Sequence, residues 1–169
     1  MERSLIVIEP HADDAYLSLD AHIRMWGKEG ASVIIVTVED DSRRNTEAAS
    51  YASSVGAEWA PYASHFLFSL KKNNQLILPL GIQHPYHNLV REEFDRIGAW
   101  YYMDQPYARI QKNSEEVTQL LSSLRCISYL QPGIRKCKGF EVFKSQAKFF
   151  HYNPMARLIG SPEMLFAGY

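Results

Sequence analysis

Ser4-Leu5-Ile6-Val7-Ile8-Glu9-Pro10-His11-Ala12-Asp13-Asp14 is the stretch on which the reading of the fold turns. Ser4 to Glu9 is a short apolar run rich in β-branched residues, which reads as a buried strand. Pro10 ends it. From Asp14 to about Lys28 the period changes. Tyr16, Leu19, Ile23 and Trp26 fall on one helical face, and Gly30 closes the segment. Ser32 to Val38 (SVIIVTV) is a second buried strand. Asn45 to Val55 is alanine-rich and helical, with Gly56 in the position just past its end. Strand, helix, strand, helix with short connections predicts an α/β fold: a mostly parallel sheet flanked by helices, with right-handed crossovers.

Further along, His65 to Leu70 and Gln75 to Leu80 read as short extended pieces around Lys71-Lys72-Asn73-Asn74, a solvated turn, and are expected to form a hairpin. After His87 a helix carries Val90, Phe94 and Ile97 on one face. Ala99 to Met103 is a strand, its aromatic residues Trp100, Tyr101 and Tyr102 assigned to the core rather than to a sugar platform. Asn113 is the expected N-cap of a helix to about Leu124, with Glu116 in the reciprocal capping position. Arg125 to Leu130 is a further strand and Phe140 to His151 a further helix; Pro154 to Tyr169 carries no decisive pattern.

The chain of 169 residues is expected to form one domain, residues 1–169, large enough to bury roughly two thirds of its unfolded surface. A net charge of −1 with both signs scattered gives no basic footprint, which argues against a nucleic-acid partner and for a small molecule. Cys126 and Cys137 lack zinc-finger or redox spacing and read as free thiols. No apolar run is long enough for a signal peptide or a transmembrane segment, so a cytoplasmic location is expected.

Two clusters carry chemistry. His11, Asp13 and Asp14 stand where a strand ends and a helix opens, the place at which α/β sheets bind ligands. The spacing of His11 and Asp14 lets an imidazole nitrogen and a carboxylate oxygen meet at one point, and zinc accepts both at about 2.0–2.2 Å. Asp13 would then lie beside the metal, where a carboxylate can take a proton from water. The competing reading is plain helix capping by Asp13 or Asp14. His84-Pro85-Tyr86-His87 repeats the arrangement before a later helix. One histidine of this pair would complete a three-ligand zinc site, while the other faces a substrate carbonyl; the competing reading is two exposed histidines in a turn.

At these residues the chain resembles the LmbE/PIG-L family of zinc N-deacetylases, whose motifs read His-Pro-Asp-Asp-Glu and, later, His-Pro-Asp-His. Here they stand as His11-Ala12-Asp13-Asp14-Ala15 and His84-Pro85-Tyr86-His87. Arg44, Glu47 and Val55-Gly56 match the pattern between them, and Lys144-Ser145-Gln146 and Pro162-Glu163 echo it later. The resemblance implies a Rossmann-like fold, with His11, Asp14 and His87 as zinc ligands and Asp13 as general base. It implies that His84 stabilises or protonates the tetrahedral intermediate, and that Arg44 lines the substrate pocket, with Arg43 as its neighbouring alternative. It implies an N-acetylated sugar or glycoconjugate as substrate. Ala12 stands where the family has proline, Ala15 where it has glutamate and Tyr86 where it has aspartate; the family's early-helix glycines are replaced by Asp20 and Ala21. Such departures in supporting positions also fit a degenerate relative that binds a metal or a sugar and catalyses little. A nucleotide-binding protein is disfavoured, because no glycine-rich phosphate loop follows the first strand.

Overall fold

The computed structural model describes residues 4–63, 74–82, 84–96, 98–105, 107, 115–131, 142–146 and 162–168. Among these, strands β1 (Leu5–Glu9), β2 (Val33–Thr37), β3 (Glu58–Pro61), β4 (Gln75–Pro79), β5 (Trp100–Tyr102), β6 (Leu124–Leu130) and β7 (Glu163–Gly168) form one sheet. Its order is β3-β2-β1-β4-β5-β7-β6. The pairs from β3 through β5 are parallel, and β7 runs antiparallel to both β5 and β6. Helices α1 (Asp14–Lys28), α2 (Ser42–Val55), α3 (Pro85–Phe94) and α4 (Glu115–Ser122) connect them. The α/β, Rossmann-like expectation of a mostly parallel sheet flanked by helices therefore holds.

The alternation of side chains along a strand explains the layers. Val7 of β1 and Ile35 of β2 face Tyr16, Leu19 and Ile23 of α1 and Tyr51, Ala52 and Val55 of α2. Ile6, Ile8, Val36, Leu76 and Leu78 point to the opposite face, where Val90 and Phe94 of α3 cover them. Tyr16, Leu19 and Ile23 are essentially free of solvent, and each such burial stabilises the fold by about 1.5–3 kcal/mol.

Several boundaries differ from the sequence expectation, for physical reasons. Helix α2 begins three residues early, because Asp41 caps it by accepting the backbone N–H groups of Arg43 and Arg44 at 3.0 and 3.1 Å. Gly56 ends it at φ +75°, as expected. Strand β3 was not foreseen; its end residues are exposed, its middle two half-buried, and it shows no apolar run. Gln75–Pro79 is not one arm of a hairpin but a fully buried strand parallel to β1 and β5; His65 to Leu70 and the turn after it lie outside the described residues. Helix α4 stops at Ser122, and Leu124 already belongs to β6; Asn113 lies outside the described residues. Of Phe140 to His151 the description covers residues 142–146, where Lys144–Gln146 is a single 3-10 turn rather than an α-helix. Cys126 is a free, exposed thiol, and Cys137 falls outside the described residues.

One buried polar chain ties the antiparallel edge to α1. Glu163 of β7 accepts the backbone N–H groups of Ala21 and His22 at 2.8 and 3.2 Å and lies 3.2 Å from His22 Nδ1. The other ring nitrogen of His22 lies 2.9 Å from Ser128 Oγ of β6. Serine, histidine and glutamate follow one another as in a hydrolase triad. Imidazole and carboxylate are both fully buried, however, so the chain reads as a structural tie.

Candidate metal centre

The carboxyl ends of β1, β2, β4 and β5 open on the same side of the sheet, and the chemically active residues collect there. His11 follows β1, and Asp13 and Asp14 lead into α1. His84 precedes α3, whose first residue, Pro85, suits a helix start because its missing N–H has no helical partner to lose. His87 lies in the first turn of α3, Arg44 in the first turn of α2, and Asp104 just beyond β5.

Three donor atoms converge. His11 Nδ1 lies 3.2 Å from Asp14 Oδ2 and 3.1 Å from His87 Nε2, and His87 Nε2 lies 3.2 Å from Asp14 Oδ2. Tetrahedral ligands at about 2.0–2.1 Å from zinc stand roughly 3.3 Å apart, so this triangle has the right size for one ion. Two facing imidazole nitrogens share at most one proton, so the arrangement without a cation leaves a lone pair poorly matched. His84 adds a looser fourth arm: the ligating nitrogens of His11, His84 and His87 lie within 4.8 Å of one another. The tighter triangle, which includes the carboxylate, fits a metal better than the three histidines alone.

The capping alternative for Asp13 and Asp14 does not hold. Asp13 occupies the N-cap position of α1, but its side chain caps no backbone group there. It accepts instead from Arg44 Nη2 at 2.7 Å. Asp14 Oδ2 turns back to accept the His11 backbone N–H at 2.7 Å. Arg44 pairs at its other end with Glu39 at 2.7 Å. Arg43 is exposed, so Arg44 is the arginine that lines the cleft. That cleft has a volume of about 160 Å³ and is lined by Asp13, Asp14, Arg44, His84, Gln105 and Tyr107, among others.

Asp104, absent from the sequence reading, orients His87. Its Oδ1 lies 2.7 Å from His87 Nδ1, and its Oδ2 accepts the Gly81 and Ile82 amides at 2.7 and 3.1 Å. A carboxylate on Nδ1 keeps a proton there, so that Nε2 is the nitrogen turned toward the triangle. The only hint in the sequence was position: an acidic residue directly after an apolar strand. Glu47 was legible, but its role was not. It accepts the Ser145 backbone N–H at 2.8 Å and the Ser145 hydroxyl, holding the 3-10 turn that brings Gln146 to the cleft.

The electrostatics follow from burial and crowding. Burial pushes the Asp13 carboxyl up, the Asp14 charge adds to it and Arg44 opposes it, leaving a pKa of about 6. Burial also disfavours the Asp14 anion, but His87 and His11 outweigh it and hold that carboxyl well below its usual range. For His87, burial opposes the cation, yet Asp14 and Asp104 raise the pKa to about 10. His84 goes the other way: burial and the neighbouring His87 and His11 lower it. Its Nδ1 is buried with no partner. Tyr86, which stands where an aspartate would orient His84, packs its ring 5.2 Å from that of His11. Glu9 lies beneath the turn, its Oε2 accepting the Ala15 N–H at 2.9 Å and its Oε1 accepting from the Thr37 hydroxyl at 2.6 Å. Burial raises it to about 8.

No protein-family model matches the chain, and no curated protein sequence does. Solved structures do. A zinc-inhibited form of a teicoplanin deacetylase superposes with a TM-score of 0.68 at 16% identity, covering 96% of this chain and 97% of its own. A pseudoaglycone deacetylase gives 0.67 at 17% identity, covering 99% and 97%. The 4-carboxy-2-hydroxymuconate hydratase of Pseudomonas putida gives 0.60 at 14% identity, covering 94% and 84%. Along nearly its whole length the chain therefore shares the fold of these deacetylases and of the hydratase.

Proposed function

We propose that the chain is a zinc-dependent hydrolase that removes an N-acyl group, in particular acetyl, from an amino-sugar-like substrate. The observation that carries this reading is the triangle of His11 Nδ1, Asp14 Oδ2 and His87 Nε2, with edges of 3.1–3.2 Å. The deacetylases of the same fold support the reaction class. The hydratase of the same fold shows that the fold alone does not choose it.

When bound, zinc supplies the Lewis acidity that makes water a nucleophile near neutral pH, lowering its pKa to about 7 in favourable sites. The chain's own residues do the rest. Arg44 holds Asp13 by Oδ1, leaving Oδ2 to take a proton as water attacks the amide carbonyl. Burial and the neighbouring His87 and His11 disfavour the charged form of His84. Its ring therefore acts as a hydrogen-bond donor to the carbonyl oxygen as charge builds there. Asp13 then returns its proton to the amine as the carbon–nitrogen bond breaks, and acetate leaves. Because the base works as an anion, the rate falls as pH drops through the Asp13 pKa of about 6. A bound dication moves that limb lower still.

The second reading, a binder with little catalysis, draws on the partnerless Nδ1 of His84. Acetate release from a panel of N-acetylated sugars, measured beside zinc content, separates the two. Asp13→Ala is expected to keep its zinc and lose turnover; undiminished turnover refutes Asp13 as base. His87→Ala is expected to lose zinc, and full metal retention refutes it as a ligand.

A further inference from the structure

Arg44 stands in the cleft, yet its charge is already taken. Nη2 meets Asp13 Oδ1 at 2.7 Å and Nη1 meets Glu39 Oε2 at 2.7 Å. Its Nε is buried, out of a ligand's reach. Both residues are anchored through their backbones. Asp13 opens α1, and the Glu39 backbone N–H donates to the Pro10 carbonyl at 3.0 Å, pinning Glu39 beside the same strand end. The Arg44 backbone is held by the Asp41 cap, and its guanidinium is placed by the two carboxylates. Two carboxylates thus stand against one guanidinium. Among the described cleft-lining residues, Arg44 is the only arginine or lysine. An anionic group brought to Arg44 must displace Glu39 or Asp13, and it meets like charge while doing so, which is costly in a partly desolvated site.

We propose that Glu39 is a specificity-determining residue: by occupying the outer end of the Arg44 guanidinium, it restricts the cleft to uncharged N-acylated sugars and turns away those bearing phosphate or carboxylate. The proposal rests on the deacetylase reading. It gives Arg44 the task of positioning Asp13 rather than gripping substrate.

The test compares N-acetylglucosamine with N-acetylglucosamine 6-phosphate, titrated calorimetrically into zinc-loaded wild type and Glu39→Gln. Inorganic phosphate is titrated in parallel to correct for binding to the metal alone. Glu39 is half-exposed, so an isosteric amide is tolerated by the fold. Wild type is expected to favour the neutral sugar by about tenfold or more. Glu39→Gln is expected to narrow that ratio by about fivefold, through tighter binding of the phosphorylated sugar. Equal or tighter binding of the phosphorylated sugar by wild type overturns the proposal, as does an unchanged ratio in Glu39→Gln. If wild type still releases acetate from the neutral sugar in either case, the deacetylase reading stands and only the role of Glu39 falls. If neither sugar is bound or cleaved, both fall together.

Discussion

Asp104 holds His87 through Nδ1 and takes two backbone amides on its other oxygen, so its geometry leaves little freedom. Asp104→Asn keeps the shape but changes the donor pattern. With the amide oxygen facing Gly81 and Ile82, its NH2 group faces His87 Nδ1 and drives the ring proton to Nε2, where a metal would bind. Zinc affinity is expected to fall by about 10–100-fold, read by competition with a chelating dye. The metal-free protein should also respond to pH with a definite sign. Glu9 has its pKa raised from 4.5 to about 8 by burial and by the Asp14 and Asp13 charges. Asp13 and His87 are raised as well. The folded state therefore holds protons that the unfolded chain releases, and stability falls as pH rises from about 4, where Asp13 begins to titrate in the unfolded chain, through the Glu9 pKa of about 8 to the His87 pKa of about 10. The melting temperature of metal-free protein is expected to drop across that window, and Glu9→Gln is expected to flatten the slope. At this scale the spacing of short motifs at strand ends pointed to His11 and Asp14 and to one of His84 and His87, and the family resemblance alone singled out His87. Asp104, Glu39 and Glu9 were silent, because what each does depends on a partner brought close only by the fold.

The elements that were legible are those whose burial is one-sided and regular. In β1 and α1 the change of period falls within a residue or so of the observed boundary. The elements that were not legible lack such a signal. Strand β3 is half-exposed, and β7 (Glu163–Gly168) has a pattern too short to separate from a loop. The turn from β4 into α3 offers a test at this scale. Gly81 has φ +78°, and a Cβ there would lie 2.0 Å from Asn88 Oδ1 and 3.0 Å from Asn88 Cα. The side chain of Asn88 can yield, but its backbone in α3 cannot do so cheaply. Gly81→Ala is expected to cost about 1–2 kcal/mol for the left-handed backbone and about 1–3 kcal/mol more for overpacking, measured by urea unfolding. Because the Gly81 amide also holds Asp104, zinc affinity should fall with it.

For the molecule as a whole, the parallel half from β3 to β5 carries the site, and the antiparallel half completes the sheet. The pairing of β7 with β5 joins the second half to the first, and Glu163 adds a polar tie through its grip on Ala21 and His22 of α1. Glu163→Ala leaves a buried imidazole without its carboxylate. It is expected to destabilise the protein by about 3–5 kcal/mol, seen as a lowered urea midpoint, with zinc affinity of the surviving folded fraction little changed. An equal loss of zinc affinity would mean that the two halves are coupled more tightly than their separate contacts imply.

The position of β7 has a consequence for the chain during its own synthesis. On the ribosome β6 emerges before β7, yet β7 must slide in between β5 and β6. Until residues 163–168 leave the exit tunnel, both neighbouring strands present bare edges, which invite pairing with other nascent chains. Codon choice and chaperone supply over the interval after β6 should therefore govern the yield of folded protein more than those over the first hundred residues.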